Sequence, residues 1–202
     1  MKNFSNSSNY KNARVYNNNG GQIPAGGYEC VVKNVKYAKY DWGDRIEMAF
    51  DVTAGDFQNF FQDKFDADTS ENNKWKGVFR LSVPKDDGSQ EDGWTMNRFK
   101  TTMDHFEKSN DGYVWNWDES TLKGKSIGII FRTRYTNING RNISYSEACR
   151  TASIDDIRSG NFKVPDEYID KSYDRSAVAN DNAGSDDDFM SIDASKEEEI
   201  PF

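Results

Sequence analysis

Between Lys123 and Arg150, six cations (Lys123, Lys125, Arg132, Arg134, Arg141 and Arg150) stand against one carboxylate, Glu147, for a net +5 over 28 residues. A second basic stretch, Lys74, Lys76 and Arg80, lies upstream, and Tyr37, Tyr40, Trp42 and Tyr145 accompany the two. Cations along extended chain can track the phosphates of a nucleic-acid strand, and aromatic faces let bases stack whatever their identity. The combination points to single-stranded nucleic acid bound without base readout. Taken alone, each Lys or Arg is equally well explained as a solubilising residue on an outward strand face, so the weight lies in the clustering. The aromatics carry less, because a chain this poor in leucine needs several of them for its core.

Other chemistries are thinly represented. His105 is the only histidine, so every nucleophile scheme that needs an imidazole would depend on it. Next to Phe106 on a helical period it reads as a packed or solvated residue. There is no glycine-rich phosphate loop of the Walker or dinucleotide type. Asp41, Asp44, Asp86, Asp87, Glu91 and Asp92 are the candidate metal ligands of a nuclease, but they sit among turn glycines and serines, where acids are common. Cys30 and Cys149 lack metal-ligand spacing and read as small buried hydrophobes of a reducing compartment. The expectation is a binding protein, not an enzyme, with no metal or cofactor.

The elements that must position these residues are mostly strands. Leu81 and Leu122 are the only leucines, against 22 Ile plus Val, and 28 residues are aromatic. That bias disfavours a helical bundle and favours a β-rich core. Tyr28 to Tyr40 reads as a strand whose alternation breaks at Val31-Val32, as a bulge would do. After a turn at Asp41-Trp42-Gly43-Asp44, Ile46, Met48, Phe50 and Val52 share one strand face. Phe57 to Phe65 fits either a helix or a strand, and Trp75 to Val83 alternates better. Met96, Phe99, Met103 and Phe106 predict an amphipathic helix over 94–108, with Asp92 as its cap and Asn110-Asp111-Gly112 as its stop. Ser126 to Tyr135 and Arg141 to Arg150 are strands joined at Asn139-Gly140, a strong hairpin signal.

Strand, strand, strand, helix, strand, strand is the order of an OB-fold. The expected architecture is therefore mainly β, an OB-fold-like five-stranded barrel with one helix between strands 3 and 4. In such barrels nucleic acid is bound on strands 2–3 and by the loops joining strands 1–2 and 4–5, which here hold Trp42 and Asn139-Gly140-Arg141.

Charge divides the chain. Residues 166–202 contain twelve acidic and three basic residues, net −9, while the first 165 are net +1, so the overall −8 belongs to the tail. Residues 1–22 are rich in Asn, Ser and Gly, and neither end has the apolar surface to offset its ordering entropy. The expected organisation is a disordered arm over 1–22, a nucleic-acid-binding domain over 23–165 and a disordered acidic tail over 166–202. No run of about 18 apolar residues exists for a membrane span, and the N-terminal stretch is not a secretory signal.

The sequence ends Glu197-Glu198-Glu199-Ile200-Pro201-Phe202. An acidic run followed by Ile-Pro-Phe closely resembles the tail tip of bacterial and phage single-stranded-DNA-binding proteins. Residues 113–118 (Tyr-Val-Trp-Asn-Trp-Asp), 122–125 (Leu-Lys-Gly-Lys) and 154–165 resemble segments of replication-module proteins of phages of Gram-positive bacteria. The likeness is loose over 24–165 and tight at the tip. It implies sequence-independent binding of single-stranded DNA in phage replication or recombination, in the cytoplasm of the bacterial host. Glu197 to Phe202 would recruit phage or host replication and recombination proteins. Self-association is compatible with the resemblance, but the extra sequence at 56–73 and the 94–108 helix depart from the bacterial tetrameric type. Rival readings are a strand-annealing mediator, an interaction protein acting only through its tail, and a metal nuclease. RNA against DNA stays open, since stacking and phosphate contacts suit both.

Overall fold

The computed structural model describes residues 7–8 and 21–174. Its elements are β1 (Gly26–Ala38), β2 (Arg45–Val52), α1 (Phe60–Ala67), β3 (Val78–Ser82), α2 (Gln90–Ser109), a 3-10 turn (Glu119–Leu122), β4 (Ser126–Ile138), β5 (Arg141–Ala152), α3 (Ile154–Ser159) and β6 (Tyr168–Ile169). The protein is mainly β. One sheet runs in the order β3-β2-β1-β4-β5, antiparallel throughout, and β6 adds a short parallel pairing to β4 at Arg134 and Tyr135. Six strands replace the expected five. Among the described residues no ladder joins β3 to β5, so the sheet is open where a closed barrel would seal.

The bulge in β1 sets the side-chain parity. Its register to β2 shifts between Val32 and Asn34, one step beyond the break that alternation suggests. Before it Cys30 and Val32 point into the core, and after it Val35 and Tyr37 take that side, Tyr37 opposite Ile46. A single extra residue thus exchanges the faces of the strand.

β2 behaves as expected and more. Ile46, Met48, Phe50 and Val52 are buried, and so are Glu47, Ala49 and Asp51 on its other face. Asp51 caps α1 from a neighbouring strand: its Oδ1 accepts from the N–H of Phe61 at 3.0 Å and its Oδ2 from that of Gln62 at 3.3 Å. Asn59, at the helix N-cap, makes no side-chain cap bond of its own. This distant cap helps resolve the stretch as a helix from Phe60 onward, with Phe57 left in the preceding turn. β3 is shorter than expected, beginning at Val78, although the Gly77 carbonyl still accepts from the Phe50 N–H at 2.8 Å. A Cβ there would lie 2.6 Å from the Phe50 carbonyl oxygen and from the Phe61 ring.

Aromatic rings fill the places leucines would hold. Phe50 meets Phe61 edge-on at 5.3 Å and Phe131 at 5.9 Å, and Tyr28 meets Phe131 at 5.6 Å. Rings in such arrangements each add about 0.5–1.5 kcal/mol beyond their burial.

α2 begins four residues earlier than the apolar period suggests. Ser89, not Asp92, is the N-cap, its Oγ accepting from the Asp92 N–H at 3.1 Å. Asn110 ends the helix as expected and also clamps it to β4, donating to the Ser126 carbonyl at 2.8 Å and accepting from the Ser126 N–H at 2.9 Å. Asn139 and Gly140 both have positive φ, 51° and 83°, the backbone that a two-residue hairpin needs. The described structure runs past the domain boundary expected at Pro165, because Tyr168 to Asp174 are laid against β4 and β5.

Candidate nucleic-acid interface

Strand pairing lines up two rows on the face of β1-β2-β3 that points away from the core. One is Lys36, Glu47 and Arg80; the other is Ala38, Arg45 and Ser82. The β1–β2 turn folds Tyr40 and Trp42 over these rows. The Tyr40 hydroxyl donates to Glu47 Oε1 at 3.0 Å, and Arg80 Nε lies 3.6 Å from the same oxygen. Trp42 stacks on Tyr40, with ring centroids 4.9 Å apart and planes 9° apart, and the Arg45 guanidinium sits 4.2 Å from the Trp42 ring. Trp42 remains 53% exposed. The patch therefore combines three cations, one buried carboxylate that pairs with Arg80 and holds Tyr40, and a stacked aromatic pair with open surface. Phosphate binding and base stacking are the chemistry such a patch can perform.

Arg132 and Arg134 are arranged differently. Across the β4–β5 ladder Arg132 faces Glu147 and Arg134 faces Tyr145. Glu147 takes both arginines, Arg132 Nη2 at 2.7 Å and Arg134 Nη1 at 2.8 Å, and Asp170 takes Arg134 Nη2 at 2.8 Å. The Tyr168 ring lies 4.7 Å from the Arg132 guanidinium and 4.8 Å from that of Arg134. Two carboxylates thus neutralise two arginines, and a segment of the expected tail covers them. Arg132 and Arg134, expected as nucleic-acid contacts, are already paired within the protein. Tyr145 is half-buried, and burial pushes its phenol up in pKa, with Arg134 and Arg80 both near enough to pull it down.

The remaining expected contacts scatter. Lys125 lies 4.6 Å over the Tyr113 ring, just before the start of β4, and Lys123 is exposed beside it. Arg141 is exposed at the far hairpin tip. Nine residues of strand separate Lys125 from Arg134, about 30 Å, so the basic window forms no single patch. Lys74 and Lys76 precede β3, with Lys76 near Lys64 and Asp68 of the α1 region. Tyr37 is turned by the bulge to the opposite face from Tyr40. Its hydroxyl donates to Asp44 at 2.6 Å, which pushes its pKa up to about 12. It therefore lies apart from the stacked Tyr40–Trp42 pair. Glu197, Glu198, Glu199, Ile200, Pro201 and Phe202 lie outside the described residues.

Lys36 and Arg45 join the patch although neither stood out in the sequence. The signal was present in β2, whose core face at Ile46, Met48 and Phe50 puts Arg45 and Glu47 on the other side. Lys36 needed the bulge. His105 is half-buried against Thr151 Oγ1 at 2.8 Å, and burial holds its pKa below the usual value. Cys30 is fully buried and Cys149 half-buried, its thiol donating to the Ile130 carbonyl. Among the described residues no three His, Cys, Asp or Glu side chains are grouped to hold a metal, and no helix is long and apolar enough to cross a membrane. Compared with protein-family models and with curated proteins, the chain matches none.

Proposed function

We propose that the protein binds single-stranded DNA without sequence preference, in the cytoplasm of a bacterium where a phage replicates or recombines its genome. One observation carries this reading: the Lys36, Arg45 and Arg80 patch under the exposed Tyr40–Trp42 stack. The sheet order, with a helix between β3 and β4, supports an OB-like body whose β3–β5 seam is left open. The patch then occupies the region where OB-folds bind oligonucleotides, strands 2–3 and the loop joining strands 1 and 2. The protein acts by coating the strand and not by chemistry, and the Glu197–Phe202 tip recruits replication or recombination enzymes.

The test is a tryptophan-fluorescence titration with oligo-dT, oligo-U and a duplex at two salt concentrations. Oligo-dT should quench emission and bind far better than duplex. With three patch cations meeting phosphates, the log–log salt slope should be about −2, at roughly −0.7 per contact. Equal affinity for duplex, or a flat salt response, would refute the reading. Deleting residues 192–202 should leave oligo-dT binding in place while abolishing pull-down of purified replication enzymes.

A further inference from the structure

A second aromatic surface lies on the other side of the sheet from Trp42. The ends of β1 and β3, α2 and the loop after it enclose a cleft of about 280 Å³. Tyr37, Met96, Phe99, Trp115 and Trp117 line it, and the two charged residues on its wall, Asp86 and Glu119, are both carboxylates. Trp117 is 77% exposed, stacked 6.3 Å from Phe99, and held at a φ of 68°. Left-handed backbone is uncommon for a bulky residue and marks places where something beyond local stability is selected. Trp115 Nε1 is buried with no acceptor among the described residues, and such a donor calls for an explanation.

The charge on this wall is wrong for DNA. A phosphate backbone would meet Asp86 and Glu119 and be repelled, whereas a segment that sets an aromatic anchor beside cations would be matched. Residues 1–20, of which the structure describes only 7–8, are polar overall but have no Asp or Glu and three cations, Lys2, Lys11 and Arg14. Tyr10-Lys11-Asn12-Ala13-Arg14 sets an aromatic anchor beside two of them. Reach also fits. Gln22 is tied to the Ser144 carbonyl of β5 at 2.9 Å. From there β5 runs about 17 Å to Cys149, whose carbonyl accepts from Arg98, the neighbour of Phe99. The whole path is about 25–30 Å, and the eleven residues from Gly20 back to Tyr10 span up to about 36 Å.

We propose that this cleft is a docking site for the chain's own N-terminal arm, with Tyr10 against the tryptophans and Lys11 and Arg14 facing Asp86 and Glu119. At the mouth of the cleft the exposed Trp117 offers its Nε1–H to the arm's backbone carbonyls. This inference does not depend on DNA binding.

The experiment uses the full chain with a benzophenone amino acid in place of Tyr10, photo-crosslinked and mapped by mass spectrometry. Crosslinks within one chain to residues 84–99 and 115–119 are expected. Lys11→Glu with Arg14→Glu should cut their yield roughly fivefold, as two rim charge pairs would. Adding Asp86→Lys and Glu119→Lys should restore it, a rescue that misfolding would not give; far-ultraviolet circular dichroism checks the fold of each variant. Crosslinks that fall elsewhere, that join two chains, or that ignore the charge reversal would overturn the proposal. So would a Trp117→Ala variant that lost oligo-dT affinity without changing the crosslinks, which would make the cleft a DNA surface. Failure of oligo-dT binding in the unmodified protein would sink the proposed function and leave this result standing.

Discussion

The face of β1-β2-β3 and the face of β4-β5 are built from the same kinds of residue. Each has arginines beside tyrosine and a glutamate among them, Glu47 paired with Arg80 on one and Glu147 with both arginines on the other. On the first, Glu47 stands among Lys36, Arg45 and Arg80, and the surplus is positive under a half-exposed tryptophan. On the second, Glu147 and Asp170 cancel Arg132 and Arg134, and Tyr168 is laid over both guanidinium groups. The difference teaches that cations counted along a sequence are not cations offered to a ligand. A guanidinium already held by two carboxylates gains little from a phosphate, because it must first give up interactions of equal kind. The two faces border each other where β3 approaches β5.

Trp42→Ala should break the open face most severely. Loss of one stacked base costs on the order of 1–3 kcal/mol, read as weaker oligo-dT binding with the melting temperature unchanged. A fall in melting temperature with affinity intact would make Trp42 a structural residue. Glu147→Gln strikes the covered face instead. It leaves two partly buried arginines with one carboxylate, and it should lower stability on the order of 1–3 kcal/mol while changing oligo-dT affinity less than Trp42→Ala does. Chemical denaturation of the two variants side by side separates these effects.

Uncovering the second face sharpens the comparison. Asp170→Asn combined with Tyr168→Ala removes a carboxylate and the ring above the arginines, leaving Glu147 in place. Oligo-dT should bind a few-fold tighter at low salt, with the slope steeper by about 0.7 for one recruited cation. Arg80→Ala should do the reverse, flattening the slope by about the same amount. If both variants left the salt dependence untouched, neither face would carry phosphate.

The smallest effect lies away from both faces. Burial holds the His105 imidazole below its usual pKa against the opposing pull of Asp104 and Asp156, with Lys108 adding to the depression. The unfolded chain then takes up the proton first as pH falls. The stability tied to the neutral ring is present above the unfolded pKa near 6.5 and is lost as pH drops below it toward the folded value. His105→Gln should flatten the melting temperature between about pH 7 and 5 without affecting oligo-dT binding.

Much of this was legible in the chain. Strict alternation from Arg45 to Val52 needs only local geometry to specify a strand, and Asn139-Gly140 specifies its turn because both residues tolerate positive φ. The Met96, Phe99, Met103 and Phe106 period located α2, though its start depended on Ser89 supplying an oxygen to an orphan N–H. The stretch around Phe61 was ambiguous because apolar spacing there suits two periods. The choice was aided by Asp51, eight positions before Asn59, through a contact no local pattern displays.

By itself the sequence determined the β-rich character of the body, the order of its main elements, the placing of Trp42 in the first turn, and the contrast between a near-neutral body and an acidic end. These follow from composition and from periods of a few residues. Tertiary structure decided which cations share a surface, and which are spent on Glu147 and Asp170. It also turned Tyr37 away from Tyr40 by one bulged residue, brought Lys36 beside Arg80, and carried Tyr168 back over Arg134 from 34 positions away. Each of these outcomes rests on strand register and chain return. Register is set by the sum of packing across several strands, so a one-residue slip exchanges whole faces while leaving the local pattern unchanged.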